Sequence, residues 1–350
     1  MGSKSIAIGT SVACAALAAV ILRRRAFLNL RDKHVFITGG SRGLGLVLAR
    51  NFLSRGSRVT ITARDPQDLA AADEHLRKIG GEVLTIAADM TMREEVDGAI
   101  RKASASFGAV DVLVNNAGHI CVGPHQTMTV DDFRDSINTH FWAAYFATSA
   151  VLPAMKDRRC GRIVNISSIG GKISVPHLLP YCVGKFALTG YSEGLRSELS
   201  KHNVAVTTVC PGLMRTGSPR NALFKGDNEK EYAWFTTSDS LPGISMSATR
   251  AARRIVDACV RGDAEVVLSL PAILAVKFHG LWPGATADLL GVADRLLPGS
   301  HGAGNEARTG AQSDRGGLPA WAAKLNDDAA RENNEIPQTG VRDAPIADAS

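Results

Sequence analysis

His34-Val35-Phe36-Ile37-Thr38-Gly39-Gly40-Ser41-Arg42-Gly43-Leu44-Gly45 decides the fold. Its opening run, His34–Thr38, is apolar and β-branched and has the length of a buried strand. From Leu44 the spacing changes: Leu44, Val47, Leu48 and Phe52 recur with helical period. Between the two lie Gly39, Gly43 and Gly45, not at the spacing of the GxGxxG fingerprint. The context is nevertheless that of a phosphate site, a strand ending in a glycine turn that opens a helix. Glycines let the backbone approach a pyrophosphate, and the helix N-terminus favours its charge.

Working outward, the same alternation continues. Arg58–Ala63, Val83–Ala88, Val112–Val114, Arg162–Ser167, Ala205–Val209 and Glu265–Leu270 read as strands. Leu44–Ser54, Pro66–Ile79, Arg93–Phe107, Val130–Asp157, Tyr181–Lys201 and Ala248–Val260 read as helices, the fourth broken near Pro153. Short apolar strands alternating with helices imply a Rossmann-type, doubly wound parallel α/β sheet, in one domain over residues 31–270. The 350 residues, 45% of them hydrophobic, allow a large core with appendages. A net charge of +6 is scattered over helices, with no basic run interleaved with aromatics, so nucleic acid is not an expected partner. Six cysteines form no CxxC pair and nine histidines no HExxH, so a reduced compartment and no metal site are expected.

Chemistry enters at Tyr181-Cys182-Val183-Gly184-Lys185. Tyr181 and Lys185, four apart, share one helix face, and Ser168 stands thirteen residues before the tyrosine. An ammonium beside a phenol is expected to lower the phenol's pKa, suiting it to pass a proton to or from an oxygen. Beside a dinucleotide turn this suggests hydride transfer between a nicotinamide and a carbonyl or alcohol. The second strand ends at Ala63 without an acid for a ribose hydroxyl; Arg64 follows it and Arg42 lies in the glycine turn. Two guanidiniums suit a 2′-phosphate, so NADP(H) is expected in preference to NAD(H), with Asp65 able to pair with Arg64 instead.

These motifs in order resemble the classical short-chain dehydrogenase/reductase family over residues 31–270: the glycine turn, Asp89, Asn115-Asn116-Ala117-Gly118, Asn138, Ser168, Tyr181, Lys185, and Pro211-Gly212 with Thr216. The resemblance implies that Tyr181 is general acid or base and that Lys185 tunes it and holds the nicotinamide ribose. It implies that Ser168 steadies the substrate oxygen and that Asn138 positions a water linking Lys185 to solvent. Cofactor contacts would come from Gly39, Ser41, Arg42, Gly43, Leu44, Gly45 and Arg64, with Asp89 and Met90 at the adenine. Asn115, Ala117 and Gly118 would line the nucleotide side, and Pro211, Gly212 and Thr216 the carboxamide. Family members often associate through their long helices, so a homo-oligomer is an expectation too.

Substrate contacts are expected from Gly170–Pro180, with His177, Leu178 and Leu179, and from Leu213–Leu241, with Phe224, Tyr232, Trp234 and Phe235. Their apolar, aromatic character suits a lipophilic substrate. A 3-oxoacyl-thioester reductase is the alternative enzyme, and a non-catalytic NADP(H)-sensing scaffold the alternative of another class. Residues 1–30 hold the uncharged run Ile6–Leu22 followed by Arg23-Arg24-Arg25. That pattern predicts an N-terminal membrane anchor with the enzyme domain in the cytoplasm. A cleaved signal peptide and a helix of a soluble cytoplasmic protein are its rivals. Residues 271–298 form an apolar extension, expected to cover the substrate cleft or touch a membrane. From 299 to 350 the composition predicts a disordered tail, with a short helix at Leu318–Leu325.

Overall fold

The computed structural model describes residues 27–299 and 304–336. Seven strands form the central sheet: β1 (His34–Thr38), β2 (Arg58–Ala63), β3 (Val83–Ala87), β4 (Val112–Asn115), β5 (Gly161–Ile166), β6 (Val204–Pro211) and β7 (Glu265–Leu268). Their order is β7-β6-β5-β4-β1-β2-β3, and every pairing is parallel. The chain therefore winds outward twice from β1, and the winding reverses between β1 and β4. Such a reversal opens a crevice at the carboxyl ends of the strands, where open α/β sheets bind ligands.

The helices are α1 (Gly43–Leu53), α2 (Pro66–Arg77), α3 (Arg93–Phe107), α4 (Val130–Ile137), α5 (Ala143–Asp157), α6 (Leu179–Leu199), α7 (Asn228–Ser240), α8 (Ala248–Arg261), α9 (Leu270–Leu281), α10 (Pro283–Asp294), α11 (Gly310–Ser313) and α12 (Ala320–Glu332). Strand alternation divides the core. Val35 and Ile37 join Phe52 of α1 and Ile255 of α8 on one face. Phe36, Leu113 and Ile163 pack with Val151 and Met155 of α5 on the other. Each such side chain contributes roughly 1.5–3 kcal/mol of burial free energy.

Two expectations need correction. The long helix after Val130 does not break at Pro153, which lies on the exposed face of a continuous α5. There the carbonyl that loses its partner can turn to water. The irregularity comes earlier, as a π-helical segment at Asn138–Trp142 between α4 and α5. The expected disorder from 299 onward also fails for residues 304–336, where α12 is longer than the short helix anticipated. It is anchored from outside: Arg220 pairs with Asp327 at 2.9 Å, and Gly217, at φ +86°, admits the backbone of Ala330 against it.

Helices α9 and α10 form a largely exposed arm, with Leu270, Leu281 and Leu296 each more than two-thirds exposed. Together with the loop Ile173–Pro176, this arm borders an open pocket of about 370 Å³ lined by Ile173, Pro176, His279, Ala287 and Leu290. No helix among the described residues is long and apolar enough to cross a membrane. The Ile6–Leu22 run lies outside those residues.

Candidate active site

At the reversal, Thr38 ends β1 and its hydroxyl accepts from the backbone N–H of Asn116 and of Ala117, both at 3.0 Å. The Asn116 amide returns bonds to Thr38 O at 3.1 Å and Gly39 O at 2.8 Å. These clasps join the two lips of the crevice. A Cβ on Gly45 would collide with Gly39 O and lie 2.6 Å from Asn116 Nδ2, so this glycine lets α1 start tight against the turn. Asn116, read from sequence as part of the stretch lining the nucleotide side, instead spends its amide within the protein, and Thr38, whose hydroxyl works intramolecularly too, has no place among the site residues read from sequence.

The structure brings Ser168, Tyr181 and Lys185 together and leaves Asn138 apart. Ser168 follows β5 and its Oγ accepts from Gly170 N at 3.0 Å. The Tyr181 hydroxyl lies near enough to Ser168 for the serine to act on its ionisation. Lys185 is buried one turn along α6; its ammonium donates to Ile166 O at 2.8 Å and lies 5.6 Å from the centre of the Tyr181 ring. Gly184 allows this packing: a Cβ there would lie 2.7 Å from Ser136 Oγ and 2.9 Å from a carbon of the His140 ring. Asn138 opens the π segment but is exposed. The buried residue facing the pair is His140, two positions on, with its ring edge-on to Tyr181 at 5.3 Å.

The electrostatics also depart from expectation. Burial drives the Tyr181 phenol above its ordinary value, and the nearby Ser168 offsets only part of this. Burial draws Lys185 down to about 7, and the ammonium does not reverse the effect on the phenol. Tyr181 is therefore held protonated at neutral pH, the state from which a proton can be given.

On the nucleotide side, several candidates are placed but already engaged. The Asn115 amide donates to Asn165 Oδ1 at 2.8 Å and Thr148 Oγ1 at 3.2 Å within the sheet. Met90 is in the core, and Asp89 accepts from Thr91 N and Oγ1, both at 2.8 Å. Leu44 is buried, Pro211 ends β6, and Gly212 packs against Ser269 and Ala272. Thr216 Oγ1 bonds Ser218 at 2.8 Å. Arg64 is exposed, while Asp65 caps α2 through Gln67 N at 2.8 Å. Gly118 is the point around which His140 and Lys185 gather.

The C-terminal segment reaches this turn. Gly43 N donates to Asn333 O at 2.8 Å, and Asn334 donates to Ser41 O at 3.0 Å. The Glu335 carboxylate meets Gly43, accepts from Asn221 at 2.6 Å and lies 3.7 Å from Arg42 Nε. Arg42 also faces Asp68 at 3.7 Å. An anionic group thus already sits at the N-terminus of α1, so the turn fits the phosphate chemistry read from its glycines. On the substrate side, Phe224, Tyr232 and Phe235 pack mainly into their own cluster with Val122 and Ala222. His177 bonds Glu231 at 2.8 Å and tethers the loop before α6 to α7.

The short chain dehydrogenase family model matches residues 33–223. The chain belongs to the short-chain dehydrogenase/reductase family. It is accordingly an oxidoreductase of the kind that uses a nicotinamide dinucleotide on carbonyl or alcohol groups of small molecules. A zebrafish (Danio rerio) relative, dehydrogenase/reductase SDR family member 7B, is 33% identical over 290 residues, covering 81% of this chain and 92% of that one. The 3-dehydrosphinganine reductase of the same fish is 34% identical over 189 residues, 53% of this chain and 57% of that protein. A short-chain dehydrogenase structure from Streptomyces avermitilis superposes with a TM-score of 0.65 at 28% identity, covering 75% and 97% of the two chains.

Proposed function

We propose that this oxidoreductase is an NADP(H)-preferring enzyme that interconverts a lipophilic ketone or aldehyde and its alcohol. The observation that carries the reading is the Ser168–Tyr181–Lys185 cluster, set beside the glycine turn at the sheet's reversal. The dinucleotide, when bound, supplies the hydride. Tyr181, protonated at neutral pH, gives its proton to the oxygen that becomes the alcohol. Ser168 donates to the same oxygen and stabilises the charge growing there. Lys185 steadies the tyrosine and would hold ribose hydroxyls, while the first turn of α1 would take the phosphates.

The NADP(H) preference is supported by Arg64, exposed just after β2, and by Arg42 in the glycine turn, while Asp65 Oδ1 accepts from Gln67 N as a helix cap. Lipophilicity is supported by the apolar pocket beside Ser174 and by a relative named for a long-chain base. A second reading, reduction of 3-oxoacyl thioesters, draws on a Streptomyces violaceoruber relative named as a putative ketoacyl reductase, 34% identical over 182 residues. The same proposal places the domain in the cytoplasm, anchored to a membrane through Ile6–Leu22. It also allows self-association through the face bearing exposed Trp142, Val183 and Phe186. A panel of ketones and 3-oxoacyl thioesters, assayed with NADPH and NADH, tests it. Preferred turnover of apolar ketones with NADPH is expected; turnover of thioesters alone, or a preference for NADH, would contradict it. Full-length protein should resist alkaline carbonate extraction from membranes, and recovery in the soluble fraction would rule out the anchor.

A further inference from the structure

His140 lies in the π segment with only 2% of its surface exposed. Its Nε2 is 3.0 Å from His119 O. A carbonyl only accepts, so the neutral ring carries its proton on Nε2 and leaves a lone pair on Nδ1. That Nδ1 is buried and has no hydrogen-bond partner among the described residues. Leaving such an acceptor unsatisfied is unfavourable enough that natural cores rarely do so. Its surroundings show what it faces. Nδ1 lies 2.9 Å, and Lys185 Nζ 3.6 Å, from the point a Cβ on Gly118 would occupy. The bare acceptor and the ammonium therefore flank one small space, and among the described residues that ammonium makes one hydrogen bond, to Ile166 O.

We propose that His140 is a positioning residue of the active site, whose Nδ1 accepts a hydrogen bond from one bridging water that in turn accepts from the Lys185 ammonium. This rests on the reading of Tyr181 and Lys185 as the catalytic pair. It moves the role first given to Asn138 onto a side chain that reaches the site. Burial keeps the imidazole neutral, and Lys185 and His119 add to that, so it remains an acceptor at working pH. Facing it are Lys185 and Tyr181 from α6 and His119 from the loop after β4. Asp132, Asp135 and Arg64 lie around His119, and Ser168 lies beyond the tyrosine. An acceptor beside Lys185 favours its charged form, so losing it should lower that lysine's pKa further.

The test follows Lys185 itself. Lysine side-chain NMR of the full chain, assigned with Lys185→Met, gives its titration midpoint without any substrate. His140→Phe keeps a ring but no acceptor and should move the midpoint down by about one unit. His140→Leu serves the same purpose if the phenyl ring prevents folding. His140→Asn offers an amide oxygen and should restore the midpoint. With a ketone that the wild type reduces, His140→Phe should lower kcat about tenfold at unchanged KM, and His140→Asn should recover most of it. An unmoved midpoint in His140→Phe, or no restoration by His140→Asn, would overturn the proposal. The midpoint is read without turnover, so a failure of the ketone reaction alone would instead count against the functional reading.

Discussion

Within the sheet, ordering contacts form one regular ladder from strand to neighbouring strand: Val35 pairs with Val59 on one side and Val112 on the other. The segment 304–336 is ordered only by reaching back across the chain. Asn334 meets Ser41, Glu332 meets Arg50, Asp327 meets Arg220, and Arg308 pairs with Phe224. The first region carries its own core, whereas the second borrows one. The sheet should therefore govern global stability and chemistry, and the C-terminal segment should govern access to the glycine turn.

Deleting core volume should have the largest effect. Phe36→Ala should cost about 3–5 kcal/mol of global stability by denaturant titration, whereas Ala330→Gly should cost under about 1 kcal/mol. Equal losses would show that the two regions unfold as one. Next comes pH. The Lys185 pKa is about 7 folded and 10.5 as a free side chain. Between those values the unfolded chain holds a proton that the native state has released, so stability rises with pH across that window. Below about 7 both states are protonated and the penalty is constant. Lys185→Met should abolish this rise, on the order of 2–4 kcal/mol. A wild-type profile that is flat there would place the lysine in a wetter site.

Tyr181→Phe should lower turnover at least about 100-fold while cofactor affinity stays within roughly threefold. The smallest effect belongs to the C-terminal segment. A chain ending at Glu332 frees Gly43 N–H and removes the Glu335 carboxylate, so NADPH should bind roughly threefold to tenfold more tightly, measured by fluorescence, since one anion no longer competes with another. Weaker binding would mean that the segment closes over the cofactor instead.

The legibility of each part follows its physics. Strand limits such as His34–Thr38 and Arg58–Ala63 were readable because strands buried on both faces leave continuous apolar runs. Ser168, Tyr181 and Lys185 were readable because their spacing lies within a regular helix and one adjoining loop. Asn138 was assigned by resemblance alone; it opens a π turn and is exposed, while His140 two positions on faces Tyr181, and nothing in Asn138–Trp142 announces the π turn. The lowered phenol pKa failed because proximity of Tyr181 to Lys185 was visible in sequence, whereas their burial was not. Order in α12 was hidden because Asn334 is held by a residue 293 positions away, which leaves no local period.

The central claim is that Tyr181 and its neighbours move a proton while a nicotinamide moves a hydride. Reduction of an apolar ketone with deuterated NADPH, read by mass spectrometry of the alcohol, tests it directly. The wild type should place one deuterium on the carbinol carbon, and Tyr181→Phe should bind the cofactor yet form about 100-fold less alcohol. Tight NADPH binding by the wild type, with no deuterium transferred to any ketone or thioester tried, would contradict the claim and favour a scaffold that senses the nucleotide.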